Sequence, residues 1–105
     1  MDSTTTVGTA IRSAREGAGI PLRKLAGTLD IDQSTLSKIE RGERRPSIQM
    51  LEVVATTLDI SLEELLVCHY SDIVESELMP AYQFYEQVLQ TVGERMKHHN
   101  PLTVN

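Results

Sequence analysis

The chain has 105 residues, a formal net charge of -5 at pH 7, and 40% hydrophobic and 24% charged residues. A chain of this length buries one modest core, which leaves little room for an elaborate catalytic cleft. No apolar run approaches the roughly 18 residues that a membrane span requires, and the single cysteine excludes an intramolecular disulfide.

The start of the chain, residues 1–8, contains Asp2 and a cluster of Ser and Thr. It lacks the basic and apolar segments of a secretory signal. We therefore expect residues 1–6 to be a flexible N-terminus and the protein to be cytoplasmic, a compartment that also suits a single cysteine.

Apolar residues at helical spacing predict two helices in the first thirty residues. The first runs from about Gly8 to Glu16 and stops at Gly17. The second begins near Pro21, because proline suits the first turn of a helix, and its inner stripe ends at Leu29.

A third helix is predicted after a short break at residues 30–31. The carboxylate of Asp32 can cap this helix, and Gly42 ends it. Leu36 and Ile39 supply its inner face. The second and third helices, crossing through a tight turn, predict a helix-turn-helix.

Two more helices are predicted up to residue 67. Ser47 is a good N-cap for the fourth helix, whose apolar stripe ends at Leu58. Ser61 followed by Glu64 has the spacing of a capping box and begins the fifth. With no strand pattern in the sequence, we predict an all-α protein with five helices in one domain over residues 7–67.

An acidic, polar stretch over residues 68–76 is predicted to be a linker, followed by a C-terminal helix over residues 77–99. Pro80 places the start of the regular helix near itself, because proline removes an interior hydrogen bond. Residues 100–105 are predicted to be a flexible tail. The helix carries apolar residues at the spacing of a helix that packs on another helix: Leu78, Tyr82, Tyr85, Leu89, Val92 and Met96.

Charge is distributed unevenly between the two halves of the chain. Residues 1–46 hold eight Lys and Arg against six Asp and Glu, and residues 47–105 hold two against nine. A basic face on the first half can therefore meet a polyanion, despite the net negative charge, while the acidic half points away.

Residues 7–67 resemble the Cro/lambda-repressor-like helix-turn-helix family, also called the XRE family. The resemblance lies in Ile39–Gly42 followed by Arg44–Ser47, and in the pair Leu25-Ala26 of the second helix. Asp30 departs from the glycine that many members have in the turn, although aspartate tolerates a left-handed backbone. Leu22 replaces a glutamine that commonly touches phosphate in the family, a role that Arg23 or Lys24 can take over.

The resemblance implies a DNA-binding domain whose third helix lies in the major groove of double-stranded DNA. Gln33 is the first candidate for base recognition, because glutamine can bond adenine N6 and N7 together. The outward polar residues of the third helix are the predicted base-reading set: Gln33, Ser34, Ser37 and Lys38. Flanking cations are predicted to contact phosphates: Arg23, Lys24, Arg41, Arg44 and Arg45.

Simpler interpretations remain open for these residues. The polar row can be a solvated helix face, and the arginines can be solubilising charge or partners of Glu40 and Glu43. Glu40 itself is expected to be structural. The C-terminal apolar stripe can fold back on its own chain or pair with a second subunit; a linker after a complete domain favours a homodimer.

Neither Cys68–His69 nor His98–His99 has the spacing of a zinc site, and Glu63 and Glu64 sit in a capping turn. We expect no metal, no cofactor and no enzymatic activity. The sequence shows no basic neighbour of Cys68 that would activate its thiol, which argues against a redox role.

The predicted function is a transcriptional regulator, a repressor in the family's commonest mode, that binds a palindromic operator as a homodimer. One alternative is a controller of a restriction-modification or toxin–antitoxin operon. The other is an interaction module whose C-terminal helix captures a regulatory protein partner. No membrane partner is expected.

Overall fold

The computed structural model describes residues 2–99, and the regular secondary structure in this range is helical, joined by turns and short loops. The all-α prediction is confirmed. The chain divides into two compact units, with the boundary between Ile73 and Val74. None of the helices in residues 2–99 is long and apolar enough to cross a membrane. The helices are α1 (Val7–Gly17), α2 (Leu22–Thr28), α3 (Gln33–Glu40), α4 (Ile48–Leu58), α5 (Leu62–Leu78), a 3-10 helix (Met79–Phe84) and α6 (Tyr85–His98).

The hydrophobic core belongs to the first unit, where α1 packs against α3 and α4, and α2 packs against α3. Of the side chains predicted for the inner faces, Leu36 and Ile39 are buried there, and Leu29 and Leu58 are partly buried against this core. Burying one leucine or isoleucine side chain stabilises the fold by about 1.5–3 kcal/mol. Seven side chains are almost completely buried: Ile11, Leu25, Leu36, Ile39, Leu51, Val54 and Leu65.

The three predicted N-caps are confirmed. The side-chain oxygens of Asp32, Ser47 and Ser61 accept hydrogen bonds from the backbone N–H three residues further on, at 2.8, 3.1 and 3.2 Å. The start of α1 lies slightly earlier than predicted, because Thr6 caps it by accepting from the Thr9 N–H at 3.2 Å. Each cap satisfies a backbone donor that the first turn of a helix leaves open.

The turns at the helix ends use left-handed backbone conformations. Asp30 has φ 58° in the turn between α2 and α3, as its tolerance of this conformation predicted. Gly42 has φ 79° just after α3, which confirms it as the stop of that helix. Asp59 follows α4 in the same conformation with φ 54°, a left-handed residue that the sequence analysis did not predict, although the end of the helix at Leu58 agrees with it.

The predicted linker over residues 68–76 is wrong, because α5 continues through it to Leu78. The acidic side chains of this stretch are compatible with an exposed helix face, and the inner face is tied to the core. Cys68 is buried, and the Asp72 carboxylate accepts a hydrogen bond from the Val7 N–H at 3.0 Å. The stretch therefore belongs to a helix that helps to anchor the start of α1.

The C-terminal helix over residues 77–99 is also corrected. Pro80 and a non-helical Ala81 (φ -107°, ψ 26°) lie in the 3-10 helix, and regular α-helix begins only at Tyr85. The missing N–H of Pro80 and the clash of its ring with the preceding turn account for the end of α5 at Leu78. Leu78 and Tyr82 consequently lie outside α6. The predicted flexible tail, residues 100–105, lies outside the described residues.

Candidate nucleic-acid interface

The α2–α3 pair presents one face of α3 to solvent. Leu36 and Ile39 are buried, and Ala26 of α2, only 2% exposed, is small enough to let the two helices approach closely. On the opposite side, Gln33, Ser34 and Lys38 are exposed, whereas Thr35 and Ser37 are half-buried. The structure thus brings the four predicted base-reading residues onto one helix, with three of them fully accessible.

The N-terminal end of this face is fixed by Asp32. Its carboxylate accepts hydrogen bonds from the Thr35 N–H at 2.8 Å and from the Ser34 hydroxyl at 2.9 Å. The hydrogen bonds from the Thr35 side chain and backbone, followed by that from Ser34, lower the pKa of Asp32 below its usual value. Because Ser34 is turned toward the cap, Gln33 is the long polar side chain left projecting from the start of α3.

At the other end of α3, Ser37 and Arg41 contact each other. Arg41 donates from Nη1 to the Ser37 hydroxyl oxygen at 2.5 Å and from Nε to the Glu43 carboxylate at 2.6 Å. The contact with Arg41 lowers the pKa of Glu43. A DNA contact by Ser37 or Arg41 therefore has to replace these local hydrogen bonds. The pairing with Glu43 is one of the alternatives that the sequence left open, whereas the contact with Ser37 was not predicted.

Five other cations on and around α3 are accessible to solvent. In the described part of the chain, no carboxylate lies within ion-pair distance of them. They come from the start of α2, from α3 and from the loop before α4, which buried Pro46 anchors. This arrangement makes a positively charged surface suited to phosphate, formed by Arg23, Lys24, Lys38, Arg44 and Arg45.

A buried ion pair joins the last residue of α3 to α1. Arg15 donates from Nε and Nη2 to the two carboxylate oxygens of Glu40 at 2.8 and 3.0 Å, and from Nη1 to the Ile20 carbonyl at 3.0 Å. The side chains of Arg15 and Glu40 are only 11% and 5% exposed. The hydrogen bond with Glu40 raises the pKa of Arg15 above its usual range. The predicted structural role of Glu40 is confirmed, and Arg15 is the partner that sequence analysis missed.

A second contact holds α1 against the end of α3. Gly8 lies so close to the α3 backbone that an alanine Cβ would sit 2.7 Å from the Glu40 carbonyl oxygen and would overlap the Ile39 carbonyl oxygen. The only sequence signal was a glycine inside a helical pattern, where glycine is otherwise unfavourable. Together, Gly8 and Arg15 fix the C-terminal end of α3 to α1.

Cys68 and His69, two of the remaining candidate groups, are both buried. No cluster of three or more potential metal ligands is present among residues 2–99. Burial, followed by the nearby Asp72, raises the pKa of the Cys68 thiol, which opposes formation of a thiolate. His69 is buried, and its ring lies edge-on to the ring of Tyr70, with the two ring centroids 5.1 Å apart.

The predicted dimer-interface residues expose a large apolar surface. Tyr82 and Met96 are 68% and 64% exposed, and the rings of Tyr82 and Tyr85 stack with centroids 5.7 Å apart. Leu89 and Val92 are exposed on α6, and Leu78 is half-buried. Exposed apolar surface of this kind is typical of interaction sites.

The helix-turn-helix family model matches residues 11–65 of the chain. The HTH-type transcriptional regulator SinR of Bacillus subtilis is 41% identical over 61 residues, which cover 57% of this chain and 55% of that protein. An uncharacterized HTH-type transcriptional regulator of Mycobacterium tuberculosis is 42% identical over 60 residues, covering 57% of this chain and 43% of that protein. The chain thus spans about half the length of these curated relatives.

Two solved structures are similar in fold. One is a crystal structure of SinR in complex with DNA, with a TM-score of 0.53 and 40% identity, covering 58% of this chain and 98% of that chain. The other is a complex of the SinR and SinI proteins, with a TM-score of 0.54 and 28% identity, covering 87% of this chain and 99% of that chain.

Proposed function

The chain belongs to the XRE-type helix-turn-helix family, and from this we propose that it is a transcriptional regulator that binds double-stranded DNA with sequence specificity. The observation that carries the proposal is the exposed polar face of α3, flanked by accessible cations that form no ion pair within residues 2–99. In the proposed complex α3 enters the major groove. The likeness to the SinR chain bound to DNA supports this placement.

Gln33 is the proposed base-reading residue, because it is long, exposed and located at the N-terminal end of α3. Replacing Gln33 by Ala should weaken binding mainly at one base pair, by about 1–3 kcal/mol. Gln90→Ala, an exposed glutamine on α6, is the matched control. The measurement is selection of bound sequences from random duplex DNA, followed by titration. An equal loss of affinity on all sequences would assign Gln33 to positioning instead.

Arg44 and Arg45 are proposed to contact phosphate groups on either side of the groove. Replacing both by alanine should lower affinity on every sequence and reduce the slope of log affinity against log salt by about 2. Arg12→Ala, which removes an exposed cation already paired with Glu16, is the control. An unchanged salt slope would remove the two arginines from the interface.

We further propose that the protein binds a palindromic operator as a homodimer and represses by blocking polymerase. The apolar stripe of the C-terminal segment supports self-association. A dimer would link two DNA-binding domains, which could bind half-sites about 34–36 Å apart. Sedimentation equilibrium at micromolar concentration tests the dimer. A two-fold symmetric motif in the selected DNA tests the operator, and an asymmetric motif would contradict it.

A second candidate function is capture of a regulatory protein by the C-terminal stripe. It is supported by the likeness to the SinR–SinI complex over 87% of this chain. The two functions are compatible, since a partner that replaces one subunit would release the operator. If the DNA selection with folded protein enriches no motif, the result would favour capture of a protein partner as the main function.

A further inference from the structure

The first compact unit carries a shallow apolar groove that is open to solvent. It lies along α5, has a volume of about 430 Å³ and is lined by Leu62, Glu63, Leu66, Val67 and Tyr70. Val67 and Tyr70 are 60% and 54% exposed. We refer to these five residues as the α5 groove. Exposed aliphatic and aromatic side chains along one helix indicate a docking surface.

The charge around the α5 groove limits what can occupy it. Glu63 is the charged residue among the groove's lining side chains, and no lysine or arginine lines it. No lysine or arginine occurs anywhere from residue 47 to residue 94. Two α5 helices facing each other would therefore bring like charges together, which is unfavourable. The groove fits an apolar helix that carries positive charge.

One helix of this chain has these properties. The only lysine and arginine after residue 46 are Arg95 and Lys97, which flank Met96 in the last turn of α6. Over residues 2–99, no carboxylate lies within ion-pair distance of Arg95, whereas Lys97 is 3.8 Å from Glu94. Leu89, Val92 and Met96 expose their apolar side chains on the same helix.

The lengths of the two surfaces also agree. With a rise of about 1.5 Å per residue, the groove from Leu62 to Tyr70 extends about 12 Å along α5. The apolar row from Leu89 to Met96 extends about 10 Å along α6. One face of α6 can therefore cover the groove and place Arg95 at its acidic edge.

We propose that α6 of one copy docks into the α5 groove of a second copy, with Arg95 facing Glu63. This rests on the homodimer proposed above and specifies its contact surface. Under two-fold symmetry the exchange is reciprocal, so both grooves are covered and the buried area is doubled. The doubling matters because a single groove is small compared with the roughly 800 Å² per partner of a stable interface.

The test is a charge exchange in the full-length chain, followed by sedimentation equilibrium. Glu63→Lys and Arg95→Glu should each weaken the dimer about tenfold, because each replaces two symmetric attractions by repulsions. The combination should restore dimerisation to within about threefold of the unaltered chain. Glu52→Lys on α4 and Arg12→Glu on α1 are matched controls at exposed positions and should leave the dissociation constant unchanged.

A second pair of variants tests the apolar contact independently of charge. Val67→Lys should weaken the dimer, and Val53→Lys, at an exposed valine of α4, should not. Far-ultraviolet circular dichroism verifies that each variant is folded. The groove assignment is overturned if the combined charge exchange gives no recovery, or if the α5 variants behave like their controls while the unaltered chain is dimeric.

The failure of this inference and the failure of the proposed function give different results. A dimer that is insensitive to the α5 groove would retain the homodimer and move its contact to α6 alone or another surface. A monomeric unaltered chain would overturn both the groove contact and the homodimer. The DNA selection experiment is independent of either outcome, since it reports on α3.

Discussion

Gly8→Ala is a direct test of how α1 holds α3. Glycine in a helix is normally worse than alanine, so a helical Gly→Ala change is expected to stabilise by about 0.5–1 kcal/mol. At Gly8 the new Cβ would meet two backbone carbonyl oxygens at the end of α3. Backbone cannot move aside as a side chain can, so α1 and α3 must separate. Such overpacking costs about 1–3 kcal/mol, which leaves a net loss of about 1–2 kcal/mol.

The assay is urea unfolding monitored by circular dichroism, with a thermal scan alongside. For a domain of this size the expected loss corresponds to a fall in Tm of roughly 10 °C. Gly27→Ala is the matched control, because Gly27 lies in α2 and nothing is within 4 Å of its Cβ position. It should be neutral or stabilising. If Gly8→Ala is as stable as Gly27→Ala, the close approach of α1 to α3 does not exist in solution.

Two further predictions concern the interior of the first unit. Arg15→Met should lower the free energy of unfolding by about 3–5 kcal/mol, because it leaves the Glu40 carboxylate buried without its cation. The double change Arg15→Met with Glu40→Met should recover most of that loss. A double variant as unstable as the single one would exclude this explanation. Cys68 should react slowly with a thiol reagent in the native protein, because burial raises its pKa and disfavours the thiolate. Rapid native labelling near pH 7, compared with the urea-unfolded chain, would contradict the burial.

The first unit was predictable from sequence where local signals determine the structure. Asp32, Ser47 and Ser61 cap helices through hydrogen bonds to a residue three positions away, so a short window of sequence contains the whole interaction. The inner faces of the helices follow in the same way from helical periodicity. The placement of the polar residues on α3 depends only on which of its residues are buried.

Contacts between distant residues could not be predicted in this way. The Arg15–Glu40 pair spans 25 positions, and the hydrogen bond from the Val7 N–H to Asp72 spans 65. Periodicity places Arg15 on a helix but does not identify what it faces, and the sequence analysis assigned Asp72 to a linker. Gly8 is a similar case, because its requirement comes from the backbone of another helix.

The error at residues 68–76 arose from composition. Acidic and polar residues suggested a linker, although glutamate is a good helix former and the stretch has no glycine or proline. Burial of Cys68 and the bond between Asp72 and Val7 then stabilise the helix from one side. For this stretch, helix propensity together with one apolar face would have predicted the structure better than polarity did.

The distribution of charge explains how a chain with net charge -5 can suit DNA. In the described part of the chain, ion pairs occupy Arg12, Arg15 and Arg41, whereas the other cations on and around α3 form none. At about 0.15 M salt, electrostatic interactions between exposed charges are screened beyond roughly 8 Å. In the proposed complex, DNA at the α3 surface therefore responds mainly to those nearby cations.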